Sequence, residues 1–284
     1  MSAPTAAPRP SVARPLLSRR TAALVPLALV VLVAVVGPFV VPFDPERVIG
    51  PVSQPPGAPY LFGTDSAGLD VFSRTIAAAR TNLLIALGTT VGATLIGLVL
   101  GLTIGMSESG RGARAAVARG SARIVDLVEA VPAVLAGLIV VSFYGATGLT
   151  LTVAMSVILC PVQVRLVRTE VLRVRGEAYL DAARMQDMSE WELTLRHVLP
   201  NASRPALQNT SVIFAVSVIL TAALGFIGVG LPPPTPEWGS MLTRGVSDAL
   251  TGRWWSAAFP AAALAATVAS VSLASRTFFE RPTR

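Results

Sequence analysis

Residues 83–106 read LLIALGTTVGATLIGLVLGLTIGM, a run of 24 residues without a single charged side chain. This run is long enough for an α-helix to cross the hydrocarbon core of a bilayer, which takes about 20 residues. Glycines recur along it every four or five residues, at Gly88, Gly92, Gly97, Gly101 and Gly105. Small residues at this spacing let membrane helices approach one another closely. The stretch therefore predicts a membrane helix with a closely packed neighbour.

Five further apolar runs follow the same pattern along the chain. Hydrophobic residues make up 52% of the sequence and charged residues only 14%, against about 25% charged residues in soluble domains. These values argue against an ordinary soluble enzyme and against a disordered chain. We predict an all-α membrane protein with about six transmembrane helices, the other five being Thr21–Val41, Val125–Tyr144, Leu149–Val164, Leu207–Gly230 and Trp254–Ser275.

The distribution of arginine predicts the orientation of these helices. All 23 basic residues are arginine, and 18 of them lie in the tail, the second and fourth loops and the C-terminus. Loops with excess positive charge stay in the cytoplasm, so both termini are expected inside. Because the arginines stand between apolar runs, the pI near 11.0 reflects contact with a lipid bilayer and not with nucleic acid. The expected order is a cytoplasmic tail (1–20), the first span (21–41), an external segment (42–82) and a core (83–284) containing a cytoplasmic loop at 165–208.

The cytoplasmic loop is too long and too patterned to be a simple connection. Its charged residues alternate with apolar ones at helical spacing, which is typical of a helix with a partner or of a helix lying on lipid. Ser189 and Glu192 form a capping box that starts a second helix, and Pro200 is expected to end it. The loop thus predicts a helix, a tight turn at Asp187 and Met188, and a helix.

Three stretches of the sequence match a known family. Residues 177–189 (EAYLDAARMQDMS) with 195–201 (LRHVLPN) resemble the cytoplasmic "EAA" loop of permeases from binding-protein-dependent ABC importers. Residues 61–74 (LFGTDSAGLDVFSR) and 224–242 (LGFIGVGLPPPTPEWGSML) resemble the dipeptide, oligopeptide and nickel branch. The order and spacing agree from about Leu61 to Pro260, and the short N-terminus is similar to the "C" type of permease.

The resemblance implies a role for the cytoplasmic loop. In this family the loop forms a coupling helix that fits into a groove of the ATPase subunit. Small side chains would let that helix seat closely, and Asp187 occupies a turn position where the family usually has glycine; aspartate tolerates the left-handed conformation better than most residues. The residues carried over as ATPase-coupling are Glu177, Asp181, Ala182, Ala183, Asp187, Ser189 and Pro200.

The resemblance also implies partners, cargo and location. The chain would pair with a second permease subunit as a heterodimer, with two ABC ATPase subunits that bind ATP and Mg²⁺, and with an extracytoplasmic substrate-binding protein. It would hold no cofactor of its own and would lie in the bacterial plasma (inner) membrane. The implied cargo is di- or oligopeptide, and nickel or metal chelates or another small solute are the alternative.

A second group of residues is a candidate for the pathway or its gate. Asp126 is an acid near the inner end of the third run, where intramembrane acids are functional candidates, although a solvated helix start explains it equally well. Prolines and glycines in the runs bend helices that line a path, or simply serve packing. The candidates are Asp126, Pro132, Pro161, Gly225 and Gly228.

The sequence contains no motif for catalysis or metal binding. It has no G-x-x-x-x-G-K-[ST] phosphate loop and no H-E-x-x-H, and its single histidine and single cysteine make a Cys/His metal site a poor expectation. We therefore predict neither a catalytic nor a metal site, and ATP hydrolysis in a separate subunit. A self-sufficient secondary transporter or channel would need ionisable residues near mid-membrane, and the second, fifth and sixth runs have none.

Overall fold

The described residues form a helical bundle. A computed structural model describes residues 16–108, 110, 112–185 and 187–279, and no strand occurs within these ranges. The helices are α1 (Leu16–Val40), α2 (Val71–Glu108), α3 (Ala113–Glu129), α4 (Ala133–Tyr144), α5 (Gly148–Arg175), α6 (Ala178–Met185), α7 (Glu190–Leu193), α8 (Leu199–Gln208), α9 (Thr210–Ile227), α10 (Trp238–Ala249) and α11 (Trp255–Phe279), with a π-helical turn (Thr194–Val198) between α7 and α8.

Five of these helices are long and apolar enough to cross a membrane. They are α1, α2, α5, α9 and α11, and a sixth span results if α3 and α4 are taken together. The predicted all-α membrane class is therefore confirmed. Of the predicted tail, residues 1–15 lie outside the described part of the chain, and residues 16–20 already belong to α1.

The second span is longer than predicted. Residues 71–82, which the sequence assigned to the external segment, form the first turns of α2. Asp70 starts the helix because its carboxylate accepts a hydrogen bond from the backbone N–H of Ser73 at 2.7 Å, an N-terminal cap. The charges of Arg74 and Arg80 interrupted the apolar run and concealed this start.

The third predicted span is wrong as a single helix. α3 and α4 meet at a bend of 90°. Pro132 stands at the bend because it cannot donate a backbone hydrogen bond inside a helix; its carbonyl instead accepts bonds from Leu135 and Ala136 at the start of α4.

The fourth predicted span also ends too early. α5 continues past Val164 to Arg175 and stops at Gly176, so the first eleven residues assigned to the cytoplasmic loop prolong the membrane helix. On the other face, α10 follows α9 as an amphipathic helix that the sequence did not predict.

Close packing of α2 against α5 forms the centre of the bundle. A Cβ atom added at Gly101 would lie 2.7 Å from Cβ of Val167 and 2.8 Å from the carbonyl oxygen of Val164. The side-chain amide of Gln163 is buried in the same interface and donates to Thr94 of α2 and to the carbonyl of Ala206 in α8. The predicted role of the glycine series is therefore confirmed, and each glycine faces a residue of α5: Thr152, Ser156, Gln163, Val167 and Val171.

Candidate functional site

The candidate coupling segment, residues 178–193, is a sharp corner between two short helices. Asp187 adopts a positive φ of 58° in the turn, the left-handed conformation that the sequence led us to expect there. Ser189 accepts a hydrogen bond from the N–H of Glu192 at 3.2 Å, so it caps α7 as predicted. We call this segment the corner.

The inner face of the corner is buried against the membrane helices. Leu180 and Leu193 have no exposed surface and belong to one apolar cluster with Val171, Val174 and Val198. Side chains from the inner end of α2 pack against the same cluster, namely Leu98, Leu102 and Met106. The corner is therefore packed against α2, α5 and α8 through one apolar cluster.

The outer face of the corner exposes large apolar side chains. Met185 is 82% exposed and Trp191 is 72% exposed, and they stand on either side of the turn. Aromatic residues and methionine are enriched where proteins bind one another. Sequence reasoning missed both residues as contacts; a tryptophan in the first turn of a capped helix was the available signal.

The predicted coupling residues do not all belong to this outer face. Ala183 is partly buried and packs against the apolar cluster, so one side of it faces the membrane helices; its role in coupling stays a prediction. Glu177 precedes α6 and accepts a hydrogen bond from Arg173 at 2.8 Å. The side chains of Asp181 and Ala182 lie outside the described part of the structure.

Pro200 does not end a helix as predicted. The chain passes through the π-helical turn, in which the N–H of Leu199 donates to the carbonyl of Thr194, five residues earlier. Pro200 then lies in the first turn of α8. The π-helical turn and α8 follow one another without a break, so the helical path continues through Pro200.

The acids near the bend between α3 and α4 are paired. Arg165 of α5 forms an ion pair with Asp126 at 3.4 Å and a second, shorter one with Glu129. Three residues further along α5, Arg168 donates two hydrogen bonds of 2.7 and 2.9 Å to the carboxylate of Glu108 in α2. These ion pairs connect α2 and α3 to α5.

The pathway candidates occupy different environments. Pro161 is buried inside α5, which continues past it to Arg175. Gly225 and Gly228, in contrast, line a cavity of about 460 Å³ at the opposite end of the bundle from the corner. Gly228 ends α9 with a φ of 96°. We call this the external cavity; its wall also includes Val141 and Ser142 of α4 and Ser240, Thr243 and Arg244 of α10.

A buried polar cap closes the bundle beside the external cavity. Glu237 has no exposed surface and accepts hydrogen bonds from the N–H groups of Gly239 and Ser240, which begin α10. Burial raises the pKa of Glu237 to about 6. The hydrogen bonds from the two amides favour the charged carboxylate and act in the opposite direction. The indole of Trp238 is buried as well and donates to the carbonyl of Thr75 at 3.0 Å.

No arrangement for chemistry is evident within the described ranges. No group of three or more His, Cys, Asp or Glu side chains there is placed to hold a metal ion. The structure instead has a corner with exposed apolar side chains at one end and a cavity at the other.

Comparison with known proteins agrees with this geometry. Residues 97–283 match the family model described as "Binding-protein-dependent transport system inner membrane component". The chain is 32% identical over 254 residues to the di/tripeptide transport system permease protein DppC of Pseudomonas aeruginosa, covering 87% of this chain and 82% of the relative.

Two further relatives show similar coverage. The probable D,D-dipeptide transport system permease protein DdpC of Escherichia coli is 31% identical, over 87% of this chain and 81% of its own length. The glutathione transport system permease protein GsiD of Pectobacterium atrosepticum is 30% identical, over 86% of this chain and 80% of its own. The chain therefore belongs to the family of inner membrane components of binding-protein-dependent transport systems.

Proposed function

We propose that this inner-membrane permease is one of two permease subunits of an ATP-driven peptide importer. A second permease subunit completes the pathway, and an extracytoplasmic binding protein delivers the cargo. Two ABC ATPase subunits bind ATP and Mg²⁺ at the cytoplasmic face. The observation that carries the coupling role is the corner, which exposes Met185 and Trp191 on one face and is fixed to α2, α5 and α8 on the other.

The proposed mechanism is a transfer of motion through that buried cluster. The ATPase docks on the exposed apolar face of the corner and moves when it binds or hydrolyses ATP. The buried cluster carries this displacement to the inner ends of α2 and α5, which are joined along their length by glycine contacts. Because packed helices switch between discrete arrangements, the result is a change of access to the pathway and not a local deformation.

Peptide is the proposed cargo because the relatives at 30–32% identity are named for transport of di- and tripeptides, D,D-dipeptides and glutathione. The test is uptake of a radiolabelled dipeptide by cells with and without this chain. We expect uptake to disappear with the chain. Unchanged dipeptide uptake, combined with loss of nickel-chelate uptake, would replace peptide by the alternative cargo.

The coupling role has a separate test. Met185→Asp places a charge on the proposed docking face without touching the buried cluster, and it should abolish co-purification of the ATPase with the chain. Leu250→Asp is the matched control, because Leu250 is 86% exposed at the other end of the bundle. Retention of the ATPase by Met185→Asp would contradict the docking role of the corner.

A further inference from the structure

The external cavity is lined by one arginine whose hydrogen-bonding capacity is not fully used within the described structure. Arg244 of α10 lines the cavity, and its Nη2 atom is buried without a hydrogen-bond partner among the described residues. A buried donor that is left unpaired costs free energy. A guanidinium group satisfies such donors best with a carboxylate, which its planar fork binds through two parallel hydrogen bonds.

A second arginine, Arg74 at the start of α2, adds to the positive charge near Arg244. Arg74 is fully buried and donates from Nη1 to the carbonyls of Pro45 and Pro234. Its Nε and Nη2 atoms have no partner within the described ranges, and its charge interacts with that of Arg244. Two cations whose charges interact, both with spare donors, favour an anion in the cavity that Arg244 lines.

The nearby acidic residues do not remove the preference of these arginines for an anion. Asp65 and Glu46 act on Arg74 through their charges, and no direct hydrogen bond joins them to it in the described structure. The carboxylate of Glu237 lies behind Gly225 and Gly230, where it is already bound by two backbone amides. None of these groups therefore satisfies Arg244.

The cavity has the size and polarity of a small-ligand site. Its volume of about 460 Å³ falls in the range of about 300–1,000 Å³ that is typical of such sites. The wall is shaped by backbone, since a Cβ atom at Gly225 or Gly230 would collide with its surroundings. Apolar surface from Val141 and Leu231 surrounds the single charged group, an arrangement that orients a ligand by one end.

We propose that Arg244 binds the carboxylate of the transported peptide in the external cavity. The proposal rests on the proposed function. A carboxylate of the second permease subunit offers the same chemistry, and the experiment separates the two sources.

The experiment measures binding of radiolabelled dialanine and of its C-terminal amide to the whole permease–ATPase complex in nanodiscs, without binding protein. We expect wild type to bind dialanine at least about tenfold more tightly than the amide, a difference of about 1.4 kcal/mol. Arg244→Gln should bind dialanine as weakly as the amide while its affinity for the amide stays unchanged. Arg244→Lys should recover part of the difference, and Arg253→Gln, at an exposed arginine outside the cavity, should behave as wild type.

Three results would overturn the proposal. They are equal affinity of wild type for dialanine and its amide, an equal loss of both by Arg244→Gln, and loss of the second permease subunit from the Arg244→Gln complex, which would assign the carboxylate to that subunit. Dialanine uptake by the complete wild-type system is measured in parallel. Absence of that uptake would refute the peptide cargo itself, whereas normal uptake with no effect at Arg244 would refute only the carboxylate site.

Discussion

Replacement of Gly101 by alanine should loosen the α2–α5 interface that connects the corner to the rest of the bundle. The new Cβ atom would lie 2.7 Å from Cβ of Val167 and 2.8 Å from the carbonyl oxygen of Val164. The carbonyl cannot move unless α5 moves, so overpacking of about 1–3 kcal/mol is expected. Gly120→Ala is the matched control because Gly120 is also helical, in α3, and a Cβ atom there meets nothing within 4 Å.

The two variants share the gain in helix propensity that alanine brings, so their difference isolates the clash. A change of 1 kcal/mol shifts the melting temperature of a chain of roughly this size by about 2–4 °C. Gly101→Ala should therefore melt about 2–12 °C below Gly120→Ala. The assay is thermal denaturation of the purified chain in mild detergent, followed by size-exclusion chromatography of a fluorescent fusion. Equal melting temperatures for the two variants would refute the close-packing argument.

Three further outcomes test other parts of the structure. Because the pKa of Glu237 is raised from 4.5 to about 6 in the folded state, its ionisation destabilises the fold fully above pH 6 and not at all well below pH 4.5. Wild type should therefore gain about 1 kcal/mol of stability relative to Glu237→Gln when the pH falls from 7.5 to 5, as measured by melting curves. Trp238→Phe removes the hydrogen bond to the carbonyl of Thr75 and should lower the free energy of unfolding by about 1–3 kcal/mol, with no loss if the indole N–H is dispensable. Arg168→Gln leaves Glu108 unpaired at 15% side-chain exposure, so it should be less stable than the double variant with Glu108→Gln; the reverse order in a double-mutant cycle would contradict the pairing.

The parts of the fold that the sequence predicted are those set by local pattern. The apolar run ending at Gly230 anticipated α9, and the serine–glutamate spacing at Ser189 anticipated the start of α7. Both signals lie in one continuous stretch of sequence, so no knowledge of distant contacts is needed. The glycine series in α2 likewise identified the face that packs, although not its partner.

The missed features depend on contacts between distant parts of the chain. Arg74 interrupts the apolar pattern, but the carbonyls of Pro45 and Pro234, far away in sequence, accept its hydrogen bonds and allow its burial. α10 was missed because its polar residues conceal a face on which Trp238 and Met241 are buried.

The same limit applies to the candidate site. The sequence located the corner and its turn, yet the direction of α6 decides which side chains face outward. That direction follows from the packing of Leu180 against residues of α2 and α5, which turns Ala183 partly inward and leaves Met185 exposed. A helical pattern alone could not separate these two sides because both carry apolar residues.

The most direct test of the coupling role is cross-linking from Met185→Cys to the ATPase in native membranes. Background labelling is low because the one other cysteine of the chain, Cys160, is buried in α5. We predict a chain–ATPase product whose yield changes between ATP-bound and nucleotide-free states, and none from Leu250→Cys at the opposite end. Absence of the product in every nucleotide state, with the complex intact, would contradict the account of the corner as the coupling surface.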